Sequence, residues 1–120
     1  MSLRHLVFAG LATVALSGTA LAGNTAVILQ NGAINSAGLT QRGVVNNGLI
    51  LQHGGTNTAV ASQRGFVNNL GVGQVGGSNT SIATQRGFAN NYLGVQVGPK
   101  NATGVAQSGF INRARVFQLP

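Results

Sequence analysis

From Asn24 onward the chain alternates inward-type and outward-type residues with a period of two. Every second position of the first segment reads Asn24, Ala26, Ile28, Gln30, Gly32. A two-residue period is the signature of a strand, whose successive side chains point to opposite faces. The pattern then repeats every eleven residues. Asn stands at 24, 35, 46, 57, 68, 79, 90, 101 and 112. Gln stands at 30, 41, 52, 63, 74, 85, 96, 107 and 118, and Gly at 32, 43, 54, 65, 76, 87, 98 and 109. Pro120 takes the ninth glycine position. Val, Ile and Thr are frequent between these positions, as suits strands. Pairs such as Gly55-Thr56 and Gly77-Ser78 supply turn chemistry. A glycine at a fixed place predicts positive φ or a close backbone approach.

A second period lies over the first. Arg follows Gln at 42, 64 and 86, and Ser108 takes the fourth place; Val44, Phe66, Phe88 and Phe110 follow two residues later. The intervening segments carry Asn31, His53, Val75 and Val97 after Gln. Two unlike half-units therefore alternate. The structural unit is 22 residues: 24–45, 46–67, 68–89 and 90–111, with a partial unit at 112–120. Self-similarity at such a period marks a solenoid. The prediction is an all-β protein, a β-solenoid of about 4.5 turns with two strands per 22-residue repeat, pairing in parallel with the turns above and below.

Placing Asn and Gln inside a sheet stack has a physical requirement, because a buried amide without a partner is costly. Stacked on identical amides about 4.8 Å apart, each side chain donates to one neighbour and accepts from the other. The eighteen Asn and Gln positions above are thus expected to form amide ladders, satisfied inside and open at both ends. Open ladders and strand edges ask for a cap or for polymerisation. The repeat starts at Asn24 and continues to the final residues with no capping segment of different composition, so assembly is the expectation and the end amides are the candidate assembly residues.

Residues 1–22 do not follow the repeat. Arg4 and His5 precede an apolar run from Leu6 to Leu16, and Ala20-Leu21-Ala22 follows. A basic start, a short apolar centre and a small-x-small site read as a secretory signal peptide, with residues 23–120 as the mature repeat domain. The run is short for a bilayer-spanning helix, which needs about 20 apolar residues.

Composition narrows the chemistry. The 120-residue chain has seven Lys and Arg, no Asp or Glu and no Cys, for a formal charge of +7. It is only 6% charged, whereas ordinary domains are about 25% charged. Two-carboxylate glycoside hydrolysis, carboxylate-held Ca²⁺ or Mg²⁺, an Asp-supported serine triad and thiolate catalysis all lack their residues. The reading is of no enzyme, no cofactor, no metal site and no small-molecule substrate.

The repeat resembles the curlin family, the amyloid subunits of bacterial curli fibres. Gln41-Arg42-Gly43 with Asn46, and Gln85-Arg86-Gly87 with Asn90, match its Q-x-G-x-x-N core; Asn24 to Gln30 and Asn57 to Gln63 match its N-x-A-x3-Q half. The likeness covers about residues 24–118. It departs where Asn replaces Ser at strand starts, where Leu70 and Tyr92 replace a small residue, and in having no separate targeting segment before the repeats. The resemblance implies a cell-surface fibre exported through the periplasm, serving adhesion and biofilm matrix. Its implied partners are other copies, a second curlin-like subunit and secretion machinery. It allows either a main subunit or a minor nucleator, and Arg113 and Arg115 near the C-terminus lean toward the nucleator.

Arg42, Arg64 and Arg86 are expected as one stacked row. The plain reading is a solvated row that keeps subunits soluble. The sharper one is a binding row for a polyanion such as extracellular DNA or acidic polysaccharide, without an aromatic platform for bases. Phe66, Phe88 and Phe110 are expected as a stacked corner column. His53, alone, reads as a turn residue. Asn79-Thr80-Ser81 and Asn101-Ala102-Thr103 match the glycosylation pattern, but both Asn belong to the ladders. The alternative to a fibre is a monomeric solenoid that binds a polyanion, a glycan or ice. The mixed residues after each Asn (Thr25, Ser36, Asn47, Thr58, Asn69, Thr80, Asn91, Ala102) disfavour an ice face.

Overall fold

The computed structural model describes residues 11–18 and 23–119, with side chains described from Gly23. Strand β1 is Leu11–Gly18, and β2 is Thr25–Gln118, 94 residues of continuously extended chain. Drawn straight, β2 would reach about 310 Å. It coils instead. Its Asn and Gln side chains join residues 22 apart throughout, as in Gln41 with Gln63 and Asn68 with Asn46. A constant positive offset means that successive turns run parallel and in register. The fold is the predicted β-solenoid.

Each turn holds two strands, one from each half-unit. The A half-units are 24–34, 46–56, 68–78, 90–100 and 112–120; the B half-units are 35–45, 57–67, 79–89 and 101–111. Stacked A strands make one sheet and stacked B strands the other. The chain turns between them at the repeat glycines: Gly32, Gly43, Gly54, Gly65, Gly76, Gly87, Gly98 and Gly109 all have φ between 123° and 144°. That region is open to glycine and strained for L side chains. A Cβ at Gly65 would also run into the carbonyl of Gly87 one turn on. Both reasons inferred for a fixed glycine, positive φ and close approach, hold at once.

The interior is thin and half amide. Its apolar part is Ala37, Leu39, Ile50, Ala59, Ala61, Leu70, Val72, Ala83 and Tyr92. Size is compensated across it. A Cβ on Gly48 would collide with the Leu39 side chain, and one on Gly94 with the Tyr92 ring. Tyr92, where the repeat otherwise favours a small residue, is buried because Gly94 beside it leaves room.

β1 pairs in parallel with Ile34–Gln41. It takes in the second half of the predicted apolar run, Leu11 to Leu16; Arg4, His5, residues 6–10 and the Ala20-Leu21-Ala22 site lie outside the described residues, as does Pro120. Its register is 23 residues, not 22. Ala12 comes opposite Asn35, and Gly18 opposite Gln41. β1 therefore extends the sheet without extending the ladders, because it has no amide at either position.

Candidate functional site: the amide ladders and the two outer faces

The strand period aims Asn, Gln and the two residues between them inward, and four columns of amides result. Asn35, Asn46, Asn57, Asn68, Asn79 and Asn90 are buried, as are Gln41, Gln52, Gln63, Gln74, Gln85, Gln96 and Gln107. Asn24, Gln30, Asn101, Asn112 and Gln118, at or near the ends of the described repeat, are half-buried. All eighteen predicted ladder residues occupy their columns.

The columns have a direction. In both Asn columns Nδ2 donates toward lower numbers: Asn46 to Asn24, Asn68 to Asn46, Asn90 to Asn68 and Asn112 to Asn90 in the A sheet. Asn57 to Asn35, Asn79 to Asn57 and Asn101 to Asn79 follow suit in the B sheet. These bonds span 2.7–3.1 Å. The Gln columns run the other way. Nε2 donates toward higher numbers, from Gln41 through Gln63 and Gln85 to Gln107, and from Gln52 through Gln74 and Gln96 to Gln118. Gln30, on the first rung, lies 2.6 Å from the Gln52 amide. With its oxygen turned over it would instead accept from the N–H groups of Ser36 and Ala37, so the column is one-directional from Gln52 onward.

From Gln41 onward each Gln Nε2 also donates across to the facing sheet. Gln63 donates to the Asn47 carbonyl and Gln74 to that of Thr58, both at 3.1 Å. The same bond recurs at Gln41, Gln52, Gln85, Gln96, Gln107 and Gln118, always sixteen residues back. In the B column Asn57, Asn79 and Asn101 pin the preceding turn by donating to the carbonyl four residues earlier, as Asn79 does to Val75. One amide thus ties rung to rung and sheet to sheet.

Satisfaction fails at the first rung. Asn24 Nδ2 and Asn35 Nδ2 are buried with no partner. Asn35 is covered by β1, which brings Ala12 where the column needs an amide oxygen. Ser81 Oγ and Tyr92 Oη are the other buried polar side-chain atoms without a partner among the described residues.

The two outer faces differ. On the B face Arg42, Arg64 and Arg86 share one column and are exposed. The same face carries Ser36, Thr58 and Thr80 in one column and Thr40, Ser62 and Thr84 in another. At the corner after the Arg row the expected Phe column is present: Phe66–Phe88 and Phe88–Phe110 centroids are 5.0 and 4.8 Å apart, with rings within 6° of parallel. Phe88 is thus covered on both faces by its neighbours, while Phe110 remains 69% exposed. Between its two hydroxyl columns the B face exposes Val60 and Ile82, whereas the A face is aliphatic in two columns, with Val27, Leu49 and Leu93 exposed in one and Leu29 and Leu51 in the other. His53 is exposed on that face, and Asn79 and Asn101 of the glycosylation-like motifs are held in the ladder.

The apolar A face was not foreseen from the sequence. Its signal was present in Val27-Ile28-Leu29 and Leu49-Ile50-Leu51, where alternation gives way to residues apolar on both faces.

Fold and site together define a class: a repetitive β-solenoid closed inside by polar amide zippers. Compared with known proteins, the chain matches no family model, no curated protein and no solved structure. Its likeness to curlin therefore rests on the repeat residues themselves.

Proposed function

We propose that this protein is a secreted structural subunit of extracellular curli-like amyloid fibres, growing by end-to-end strand addition and serving adhesion and biofilm matrix. One observation carries the reading: the amide ladders are satisfied through the interior and open at the first rung, at Asn24 Nδ2 and Asn35 Nδ2. A second copy added head to tail would bring the Oδ1 atoms that its own Asn columns point toward higher numbers. Column direction disfavours head-to-head addition, which would set donor against donor. Strand addition of this kind takes its affinity from main-chain pairing and its register from side chains. On this reading the departure of β1 with the leader uncovers the Ile34–Gln41 edge. The implied partners are further copies, a second curlin-like subunit and export machinery.

The test is assembly of Gly23–Pro120 at micromolar concentration, followed by an amyloid dye and electron microscopy. Fibres that seed fresh protein are expected. A chain that stays monomeric for days, seeded or not, overturns the reading. Trace protein added to an acidic curli-type subunit separates the two roles: a shortened lag marks a nucleator, and an unchanged lag removes that role.

A second reading is favoured by the B face, where hydroxyl columns and the Arg row lie together: binding of a polyanion, extracellular DNA or acidic polysaccharide. Replacing Arg42, Arg64 and Arg86 with Gln is expected to abolish retention on a sulfated polysaccharide column at moderate salt. Unchanged retention removes this reading.

A further inference from the structure

The A face holds a groove that neither the ladders nor strand addition uses. It runs along the solenoid axis across the first four rungs, a hollow of about 450 Å³. Val27, Leu49 and Leu93 form one wall, and Gly71 drops out of that wall on the third rung. The opposite rim is Thr25, Asn47, Asn69 and Asn91. Part of that rim is already satisfied, since Asn47 Nδ2 donates to Asn69 Oδ1 at 3.0 Å. Its volume falls in the range of small-ligand sites, which are mostly apolar with a few polar groups fixing orientation.

The fifth rung changes character. The rim column continues from Asn91 to Arg113, and the aliphatic column from Leu93 to Arg115; both Arg are exposed. An apolar trough of four rungs, with about 19 Å from the first rung to the fifth at the strand spacing, thus ends on two guanidinium groups. Any occupant has to satisfy both parts. Water leaves the aliphatic wall bare. A second copy of this face would cover the wall but strand the guanidiniums, because the chain has no Asp or Glu to offer them. Covering two unpaired charges is costly. A long acyl chain with an anionic head fits both: methylenes along Val27, Leu49, Gly71 and Leu93, and the head accepting hydrogen bonds from Arg113 and Arg115. Arg is suited to such bidentate capture of carboxylate or phosphate.

We propose that the A-face groove binds a single anionic lipid, its chain along the groove and its head at Arg113 and Arg115. This goes beyond fibre formation and does not depend on it.

The test titrates a fluorescent long-chain fatty acid into the full chain, with the alcohol of equal chain length as control. Saturable binding of the acid is expected, with the alcohol weaker by about tenfold or more, since a charge-assisted hydrogen bond is worth at least that. Arg113→Gln with Arg115→Gln is expected to bring the acid down to the alcohol's affinity. Gly71→Val, filling the trough, and Leu49→Asn, breaking its wall, are each expected to weaken both probes. Val60→Asn, the matching change in the B face's outward column, leaves binding unchanged. Equal affinity for acid and alcohol, or an acid affinity untouched by the Arg113 and Arg115 substitutions, overturns the proposal. So does lateral pairing of solenoids that excludes the probe, or binding to anionic vesicles without binding of the free lipid. Fibre assembly is read separately on the same samples, so failure of either reading leaves the other standing.

Discussion

The A and B half-units share an interior and differ in most of what they present outside it. Inward, both present Asn, two core residues, Gln and a positive-φ glycine. Outward, the B half carries hydroxyls, Arg and stacked Phe around Val60 and Ile82, while the A half carries a longer Val and Leu wall ending on two Arg. The difference separates two tasks. The interior repeats every eleven residues because it has one job, to continue the ladders and turn the chain. The exterior repeats every 22 because each sheet faces different surroundings. Fold should therefore respond alike to equivalent inward changes in either half, and outer changes should leave it intact.

The strongest way to break the comparison is at the turns. Gly54→Val in an A half and Gly65→Val in a B half each force a β-branched residue to φ of 123° or 144° against stacked backbone. Both are expected to cost at least about 3 kcal/mol. Urea unfolding of the soluble chain would show it; tolerance of one and not the other would mean that the two turns are not equivalent. Next come the ladders. Gln52→Leu and Gln63→Leu each remove a buried amide bonded along its column and across to the other sheet. Each leaves the next Gln oxygen without its donor, at about 2–3 kcal/mol. Gln118→Leu, on the last described rung, should cost less than about 1 kcal/mol by the same measurement.

Outer changes sharpen the contrast. Phe88→Ala removes the middle ring of the corner stack, with Phe88 still 45% exposed, and should cost about 1 kcal/mol. Arg64→Gln should change stability by less than about 0.5 kcal/mol, toward stabilisation, by relieving like charges one rung apart. Added salt should shrink that difference, which thermal melts at two ionic strengths would detect.

What the sequence made legible follows from the same division. The columns, the turn glycines and the Phe stack could be read because each depends on a residue recurring at a fixed step. Three features could not. The direction of the ladders depends on how each amide rotates, and Asn and Gln carry donor and acceptor alike. Tyr92 breaks the small-residue rule, and only the placement of Gly94 beside it in space explains how it is accommodated. The first-rung defect at Asn35 arises from the 23-residue register of β1, a pairing outside the repeat. The contrast between outer faces does not show in the residues after Asn as one series, because neighbouring members belong to different sheets. Sorted by sheet, Ser36, Thr58 and Thr80 part from Asn47, Asn69 and Asn91, and the hydroxyl face separates from the groove rim.

The opposed direction of the amide columns bears on length. In an α-helix all peptide dipoles align and leave partial charge of one sign at each end. Here two Asn columns and two Gln columns run antiparallel, so their dipoles oppose one another across a core only a few side chains wide. Lengthening the solenoid then builds little macrodipole. Each end presents donors and acceptors side by side, a hydrogen-bonding code rather than a pole, and the tenth rung meets the same electrostatics as the second.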